Sequence, residues 1–293
     1  KGNNVCVVVS VLAAYILIYY SLFKGARFKI NVTLKGKTAV VTGSNTGIGK
    51  TTALDLAKRG APNIMYIPQE SGNPEVLYMH LDLASLNELR LDLLINNAGL
   101  IASGRTEDGF GMAFGVNHMG HFLLTLLLLD RLKQAEHSRV INVSALLHRL
   151  GSVDFNLLNT SQTDWKGRVS LAIACIQVSG AVFVCYHVTS IMIPFSPLHF
   201  LHCLIFIGVI ATEIGRNMGV LQKLLFLPMS KLFFLDPEGG AQTTLYCALQ
   251  EGLEPLSGRY FSSSALQNVS AHGRDDALAK KLWEVSERLC GLL

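Results

Sequence analysis

Residues 36–61 constrain the fold more than any other part of the chain, because a strand, a glycine turn and a helix follow one another there. Thr38–Thr42 is a short apolar run typical of a buried strand, and residues 50–59 place apolar side chains on one helix face. Three glycines lie between them: Gly43, Gly47 and Gly49. Glycines let the backbone approach a pyrophosphate, and a helix N-terminus offers unpaired N–H groups. The segment predicts a phosphate-binding turn, and a plain glycine turn is the alternative.

The uncharged run Val5–Phe23 is a second strong feature. At about 19 residues it is close to the ~20 that cross the hydrocarbon core of a bilayer. Basic residues follow it directly, at Lys24, Arg27, Lys29, Lys35 and Lys37. A cleaved signal peptide would have a shorter apolar region of about 7–15 residues. We therefore predict that residues 1–30 are a membrane anchor with a basic flank, in the endoplasmic reticulum or another internal membrane, and that the next domain faces the cytosol.

Composition limits the partners. Apolar residues make up 50% of the 293 residues and charged residues only 16%, which indicates that part of the chain lies in lipid. The net charge of +4 comes without a long basic run, which argues against nucleic acid as a partner. The six cysteines form no C-x-x-C pair, so we expect reduced thiols, with no disulfide framework and no metal site.

Further stretches agree in a fixed order with one enzyme family. They are TGSNTGIG (42–49), HLDLAS (80–85), LDLLINNAGL (91–100), FGVNHMGHFLLTLLLLDRL (114–132), RVINVSALLHRLG (139–151), GVIATEIGR (208–216) and PEGGAQTTLYCALQEGLEPLSGRYF (237–261). In this order they resemble the short-chain dehydrogenase/reductases, and most of all their retinol dehydrogenase branch. The resemblance implies an α/β fold with a Rossmann-like doubly wound parallel sheet. It also implies hydride transfer between NADP(H) or NAD(H) and a lipophilic alcohol or carbonyl such as a retinoid.

The resemblance assigns most matched residues to the cofactor. The cofactor-binding set is Gly43, Gly47, Ile48 and Gly49 in the pyrophosphate turn, Asp82 at adenine, Asn97, Ala98 and Gly99 beside the cofactor, and Thr212 near the nicotinamide amide. A strand-end cap at Asp82 and a turn-forming role for Asn97 are the purely structural alternatives.

Two residues match the catalytic side. Asn117 corresponds to the asparagine that supports a proton-relay water in the family. Ser144 ends the predicted strand Val140–Val143, where a hydroxyl could polarise a substrate carbonyl. Many relatives close this strand on two serines and use the second, which here is Ala145. Ser144 could therefore replace the family's catalytic serine only if the register of this strand end is shifted by one residue.

The family's acid/base pair has no counterpart in the sequence. Its members carry Tyr and Lys four residues apart on one helix face, so that the lysine lowers the pKa of the phenol and also binds the ribose. In the corresponding region the chain has Tyr186, and Ser190 stands four residues later. Tyr20 and Lys24 have the spacing, but they lie at the end of the predicted anchor.

The same region is unusually apolar. Residues 169–212 contain no Asp, Glu, Lys or Arg. This uncharged stretch is long enough for one or two membrane spans of ~20 residues. Pro194 and Pro197 divide it, and the family match resumes only at Gly208. We interpret 165–208 as an aberrant apolar segment within a short-chain dehydrogenase/reductase-like domain that covers residues 31–293.

Two connections between predicted strands are short. Residues 68–75 join the strands predicted at 63–67 and 76–82, and residues 83–90 lead from there to the strand predicted at 91–97. A parallel crossover usually needs a dozen or more residues and contains a helix, so the fold is predicted to be incomplete. The basic residue that binds the NADP 2′-phosphate in relatives falls near Pro68, so the choice of NADP(H) rests on the resemblance alone.

The C-terminal part has regular packing elements. Asp236, Pro237 and Glu238 predict the start of a helix whose apolar pattern runs from Ala241 to Leu249. Residues 259–262 predict a last strand and residues 276–289 an amphipathic helix. Three functional hypotheses follow for the whole chain: a retinoid-type oxidoreductase, a membrane-held dinucleotide-binding pseudoenzyme, or a non-functional product with replaced and missing segments.

Overall fold

The computed structural model describes residues 28–61, 63–67, 90–100, 104–144, 155, 200–206, 236–268 and 275–292. Within them, seven strands form one sheet in the order β2-β1-β3-β4-β5-β6-β7. The strands are β1 Thr38–Thr42, β2 Asn63–Ile67, β3 Leu93–Asn96, β4 Ser138–Ser144, β5 Phe200–Phe206, β6 Arg259–Ser262 and β7 Ala265–Gln267. All neighbours pair in parallel except β6 and β7. The predicted doubly wound parallel sheet is confirmed.

The four longest helices among the described residues are α1 Gly47–Lys58, α2 Met112–Lys133, α3 Pro237–Leu249 and α4 Asp276–Leu289. Of these, α1 and α3 cover one face of the sheet and α2 covers the other, while α4 packs against α2. Alternate residues of β1 point to opposite faces, as the pleat requires. Ala39 and Val41 pack in the core that α1 and α3 cover, whereas Val40 packs with Leu132 of α2. Both faces of the central strands are therefore buried, which explains their continuous apolar runs.

Helix α1 begins three residues earlier than the apolar pattern predicts, at Gly47, and ends at Lys58. Gly60, with a φ of +87°, follows the helix in the left-handed conformation that commonly ends a helix. The start of α3 was predicted correctly, because the Asp236 side chain accepts a hydrogen bond from the Gly239 N–H at 2.6 Å. Helix α4 is capped in the same way by Asp275, which accepts from the Leu278 N–H at 2.9 Å.

Helix α2 contains a π-helical turn, Gly115–Gly120, near its start. Among the described residues it is the one helix long and apolar enough to cross a membrane. Leu132 on its inner side is fully buried against the sheet, together with Val140 of β4, so we interpret α2 as a core helix. The predicted anchor, Val5–Phe23, lies outside the described residues.

An aromatic series joins α2 to α4. The His118 ring stacks on Phe114, with centroids 5.0 Å apart, and Phe122 meets Trp283 of α4 edge-on at 4.9 Å. Ser286 donates to the Leu282 carbonyl, so its oxygen accepts from the His118 Nε2–H at 2.8 Å. Burial, assisted by the neighbouring His121, lowers the pKa of His118 to about 3, so this ring is neutral.

The strand β5 lies in a stretch that the sequence left open. The uncharged residues 169–212 are long enough for one or two membrane spans. Within them, Phe200–Phe206 pair along their whole length with β4 and over four positions with β6. An inner strand of a parallel sheet can have the same uncharged composition as a span, so composition alone does not separate the two. The remainder of 165–208 lies outside the described residues, apart from these seven positions.

The two short connections stay a prediction. Strand β2 pairs with β1 as expected, but the strand predicted at 76–82 lies outside the described residues. Strand β3 is confirmed on the other side of β1, with Val40 opposite Leu94. The chain therefore places β2 and β3 on opposite sides of β1.

Candidate active site

The carboxyl ends of β1, β3 and β4 meet at one edge of the sheet. Because β2 lies on one side of β1 and β3 on the other, the order of the strands reverses between β1 and β3. Ligands of open α/β sheets bind in the crevice at such a switch point. Thr42 ends β1, Asn97 follows β3, and Ser144 ends β4. The sequence-predicted residues Asn97 and Ser144 therefore reach the same edge as Thr42.

The glycine turn after β1 fits tightly against the segment after β3. Gly43 and Gly47 have φ angles of +64° and +57°, which favour glycine. A Cβ on Gly43 would lie 2.8 Å from the Ala98 Cα, and one on Gly49 would overlap the Gly43 carbonyl oxygen and lie 2.5 Å from the Asn97 Nδ2. Both glycines are therefore required by contacts within the protein itself.

Thr42, which the sequence reasoning did not single out, organises this contact. Its Oγ1 accepts from the backbone N–H groups of Asn97 and Ala98, each at 2.9 Å. The Asn97 side chain closes the pair by donating from Nδ2 to the Thr42 carbonyl at 2.9 Å. The threonine and asparagine thus hold the end of β1 to the start of the loop after β3.

The Thr42 hydroxyl also lies 3.5 Å from the Ile95 carbonyl oxygen and, much closer, contacts His121 of α2. The His121 Nδ1 lies 3.3 Å from the Asn117 carbonyl, which can only accept, so Nδ1 carries the proton. Burial lowers the pKa of His121 to about 4, against the opposing effect of that hydrogen bond, and the ring is neutral. The His121 Nε2 therefore accepts a hydrogen bond from the Thr42 hydroxyl at 2.8 Å. His121 connects the cofactor turn to the asparagine in α2.

Asn117 lies in the π-helical turn and faces the loop after β3. Its Oδ1 accepts from the Leu100 N–H at 2.9 Å, and its Nδ2 donates to the Leu100 carbonyl at 3.0 Å. The Asn117 side chain therefore pairs with the Leu100 backbone through two hydrogen bonds and fixes the loop that contains Gly99. The Asn117 main-chain carbonyl accepts the hydrogen bond from the His121 Nδ1–H.

Asn96 is a further residue that the sequence reasoning missed. Its Nδ2 donates to Asn142 Oδ1 of β4 at 2.7 Å and to Thr125 Oγ1 of α2 at 3.0 Å. Thr125 in turn donates to the His121 carbonyl at 2.8 Å. The doubled asparagine in the stretch LINNAG was the available signal, since a buried strand end with two amides needs partners.

Ser144 differs from these residues. It is buried at the end of β4, opposite Phe206 of β5, and its Oγ has no hydrogen-bond partner among the described residues. A buried hydroxyl without a partner costs free energy, on the order of 1–3 kcal/mol, unless a ligand or water satisfies it. The structure thus places Ser144 at the right edge, whereas Ala145, Asp82, Thr212 and Tyr186 lie outside the described residues.

The start of α1 suits an anion. Its N-cap residue, Thr46, makes no side-chain capping bond, and its first turn contains no acid. The first N–H groups of a helix have no partner inside the helix and carry the positive end of its dipole. Helices α3 and α4 each satisfy this end with an aspartate. The pyrophosphate of a dinucleotide would fit the unsatisfied end of α1, beside Gly47, Ile48 and Gly49. Among the described residues, no group of His, Cys, Asp or Glu could hold a metal ion.

Comparison with known proteins agrees with this geometry. The short chain dehydrogenase family model matches residues 79–161. Dehydrogenase/reductase SDR family member 13 of Bos taurus is 41% identical over 307 residues, which cover 96% of this chain and 80% of that protein. Retinol dehydrogenase 11 of Mus musculus is 39% identical over 289 residues, or 89% of each chain. A crystal structure from Mycobacterium paratuberculosis superimposes with a TM-score of 0.64 at 24% identity, covering 89% of this chain and 95% of that one.

These similarities extend over most of the chain. The protein belongs to the short-chain dehydrogenase/reductase family and resembles its retinol dehydrogenases. The family consists of oxidoreductases that bind a nicotinamide dinucleotide, NAD or NADP.

Proposed function

We propose that this chain is a membrane-anchored member of the family that binds a dinucleotide at the β1–β3 switch point but does not carry out hydride transfer. The observation that carries the proposal is the contrast within one edge of the sheet. The glycine turn and the loop after β3 are held together by Thr42 and Asn97, whereas the region after Ser144 contains no Tyr-x-x-x-Lys pair.

The cofactor-binding residues proposed are those that border the switch point. Gly43, Gly47, Ile48 and Gly49 would hold the pyrophosphate, and Asn97, Ala98 and Gly99 would line the cofactor beyond them. Asp82 and Thr212 complete the set by resemblance. A bound dinucleotide would supply the hydride or accept it. NADP(H) is favoured over NAD(H) by the resemblance to the retinol dehydrogenase branch.

The inherited chemistry is oxidation or reduction of a lipophilic alcohol or carbonyl. A relative at 39% identity is named for retinol, which makes a retinoid-like substrate the first to test. Residues 1–30 are proposed as the anchor and residues 31–293 as the domain, in an internal membrane with the domain in the cytosol.

The proposed lack of turnover follows from the missing group that would transfer a proton to or from the substrate. Reducing a carbonyl needs a proton at the developing alkoxide, and a positioned general acid/base contributes about 10²–10⁴ in rate. An unassisted phenol has a pKa near 10 and is a poor donor or acceptor at neutral pH. In this chain Ser190 stands four residues after Tyr186, so the sequence has no lysine at the family's spacing to assist this phenol.

An active oxidoreductase is the second candidate. The unpaired Ser144 Oγ and the ordered Asn117 are observations in its favour, because both are positions that the family uses in catalysis. A non-functional product is the third, and the short connections 68–75 and 83–90 support it. Measuring binding and turnover separately distinguishes the three.

Calorimetric titration of the detergent-purified full-length chain with NADPH tests the binding half. We expect saturable binding that is weaker than that of retinol dehydrogenase 11, since the adenosine side lacks its basic contact. Loss of one charge-assisted hydrogen bond costs about 1.5–3 kcal/mol, or roughly 10–150-fold in affinity. Absence of any binding heat by a folded chain would refute the proposal, and affinity equal to that of the relative would refute the predicted weakness.

A further inference from the structure

The segment that leads out of the predicted anchor is fixed to one face of the domain. The Phe28 N–H donates to Gln242 Oε1 of α3 at 2.8 Å, and the Phe28 ring meets Tyr246 edge-on at 5.3 Å. Arg59, at the end of α1, donates from Nη1 to the Ile30 carbonyl at 2.6 Å. The chain therefore enters the domain along the layer formed by α1 and α3.

The distance to the bilayer is short on this side. Four residues, 24–27, separate Phe23 at the end of the apolar run from Phe28 on the domain. At about 3.3–3.6 Å per extended residue, these five steps reach at most roughly 18 Å. The α1/α3 layer must then lie close to the lipid headgroups if residues 5–23 span the membrane.

Charge is concentrated on the same part of the chain. Residues 1–61 hold nine of the 25 Lys and Arg but only one of the 21 Asp and Glu, Asp55, which is paired with Arg59. The rest of the chain therefore carries more acidic than basic residues. Such asymmetry between parts of one chain is typical of a surface that meets an anionic partner.

The entry segment lies beside the end of α1, where the Leu34 N–H donates to the Arg59 carbonyl at 2.8 Å. The exposed residues of these two neighbouring elements are here called the basic face: Lys29, Lys35, Lys50, Leu54 and Lys58. Lys50, Leu54 and Lys58 are spaced four residues apart and share one side of α1. Leu54 is 43% exposed between the two lysines. A leucine flanked by lysines on an exposed helix side suits the interface of an anionic bilayer, where apolar side chains insert and lysines contact phosphates.

We infer that the basic face lies on the cytosolic surface of an anionic phospholipid bilayer and fixes the orientation of the domain on the membrane. This inference rests on the proposed anchor at residues 5–23. The carboxyl edge of the sheet, with the candidate active site, then lies beside the membrane surface, within reach of a lipophilic substrate.

The test is lipid photocrosslinking of the full-length chain in liposomes with and without phosphatidylserine. The photoreactive residue p-benzoylphenylalanine is placed at Leu54 or, as a matched control, at Leu127. Leu127 is 69% exposed but belongs to α2, which covers the opposite face of the sheet. We expect phospholipid adducts at Leu54 in at least fivefold excess over Leu127.

Neutralising the face should weaken its contact. One basic residue near an anionic surface contributes roughly fivefold to the docking equilibrium, so Lys58→Gln should lower the Leu54 adduct by up to about fivefold, and Lys35→Gln should add to this. Removing phosphatidylserine should have the same effect. Equal adducts at Leu54 and Leu127, or adducts at Leu54 that are independent of anionic lipid, would overturn the inference. A chain that carbonate releases from membranes would instead show that the anchor is wrong.

Discussion

The two halves of the carboxyl edge differ in how well their polar groups are satisfied. At the cofactor half, the Thr42 hydroxyl, the Asn97 amide and the His121 ring form hydrogen bonds that join β1, β3 and α2. At the catalytic half, the Ser144 hydroxyl is buried without a partner among the described residues, and the sequence beyond it lacks the acid/base pair.

The comparison separates residues that the fold itself requires from residues that only the proposed chemistry requires. Gly43 and Gly49 are required by their contacts with Ala98 and Asn97, so their substitution would damage the fold as well as the site. These contacts do not depend on a Tyr-x-x-x-Lys pair, so the fold requires the two glycines whether or not the chain turns over a substrate.

Gly49→Ala should have the largest effect and should remove both fold stability and dinucleotide binding. The added Cβ meets the Gly43 carbonyl and the Asn97 amide, and neither has room to move without breaking the bond between Asn97 and Thr42. We expect a loss of about 3 kcal/mol in the free energy of unfolding. Urea unfolding and NADPH titration measure the two effects.

Gly99→Ala is the control for stability at the same site. A Cβ there meets its nearest atoms at 3.8 and 4.0 Å, which are ordinary contacts, so its unfolding midpoint should stay close to that of the parent chain. Equal destabilisation by the two substitutions would show that the tight approach at Gly49 does not determine stability.

A fall in pH should lower the free energy of unfolding, because His121 in the cofactor half becomes protonated more readily in the unfolded chain. Its pKa is about 4 in the folded chain and near 6.5 when unfolded, so the unfolded state binds more protons between these values. The stabilisation is complete above pH 6.5 and is lost as the pH falls towards 4, at about 1.4 kcal/mol per pH unit. Between pH 7.5 and 5 this removes roughly 2 kcal/mol.

The measurement is urea unfolding at both pH values for the parent chain and for His121→Gln, which cannot titrate. The variant should be less stable at pH 7.5 but should lose about 2 kcal/mol less on acidification. His118 remains in both chains, and because burial is the larger cause of its lowered pKa, most of its contribution cancels in the comparison. Identical pH dependence of the two chains would mean that His121 is not held neutral by the fold.

Thr46→Asp should have the smallest effect. It should raise the stability of the fold and weaken the binding of NADPH. An aspartate would cap α1 as Asp236 caps α3, adding about 0.5 kcal/mol to stability. It would also place a negative charge beside the proposed pyrophosphate and weaken NADPH binding by about tenfold. Thr46→Asn caps without charge, so it should stabilise without this loss of affinity. An unchanged affinity in Thr46→Asp would place the phosphates elsewhere.

Local patterns in the sequence predicted most of the described elements. Strand β1, helix α4 and the capped start of α3 follow from apolar periodicity and from Asp236, which act within a few residues. The strand β5 could not be separated from a membrane span, because an inner strand of a parallel sheet and a span can have the same uncharged composition.

The candidate site was predictable only in part. The glycine turn was predicted from its local spacing and Asn97 from the family resemblance, and their roles in cofactor binding stay predictions. Thr42 and His121 were not predicted, because they are 79 residues apart and their 2.8 Å contact depends on how α2 lies across the sheet. Ser144 was placed correctly at the end of β4, but its unpaired hydroxyl is a property of packing that no sequence pattern reveals.

The central claim is that the chain binds a dinucleotide without turning over, and NADPH-dependent reduction of all-trans-retinal tests it most directly. The assay uses membranes that contain the full-length chain, its Tyr186→Phe variant, or retinol dehydrogenase 11 as the active reference. We predict background rates for the first two, at least about 10²-fold below the reference, because the sequence after Ser144 has no Tyr-x-x-x-Lys pair to act as the general acid. Robust reduction by the unmodified chain, abolished in Tyr186→Phe, would contradict the account.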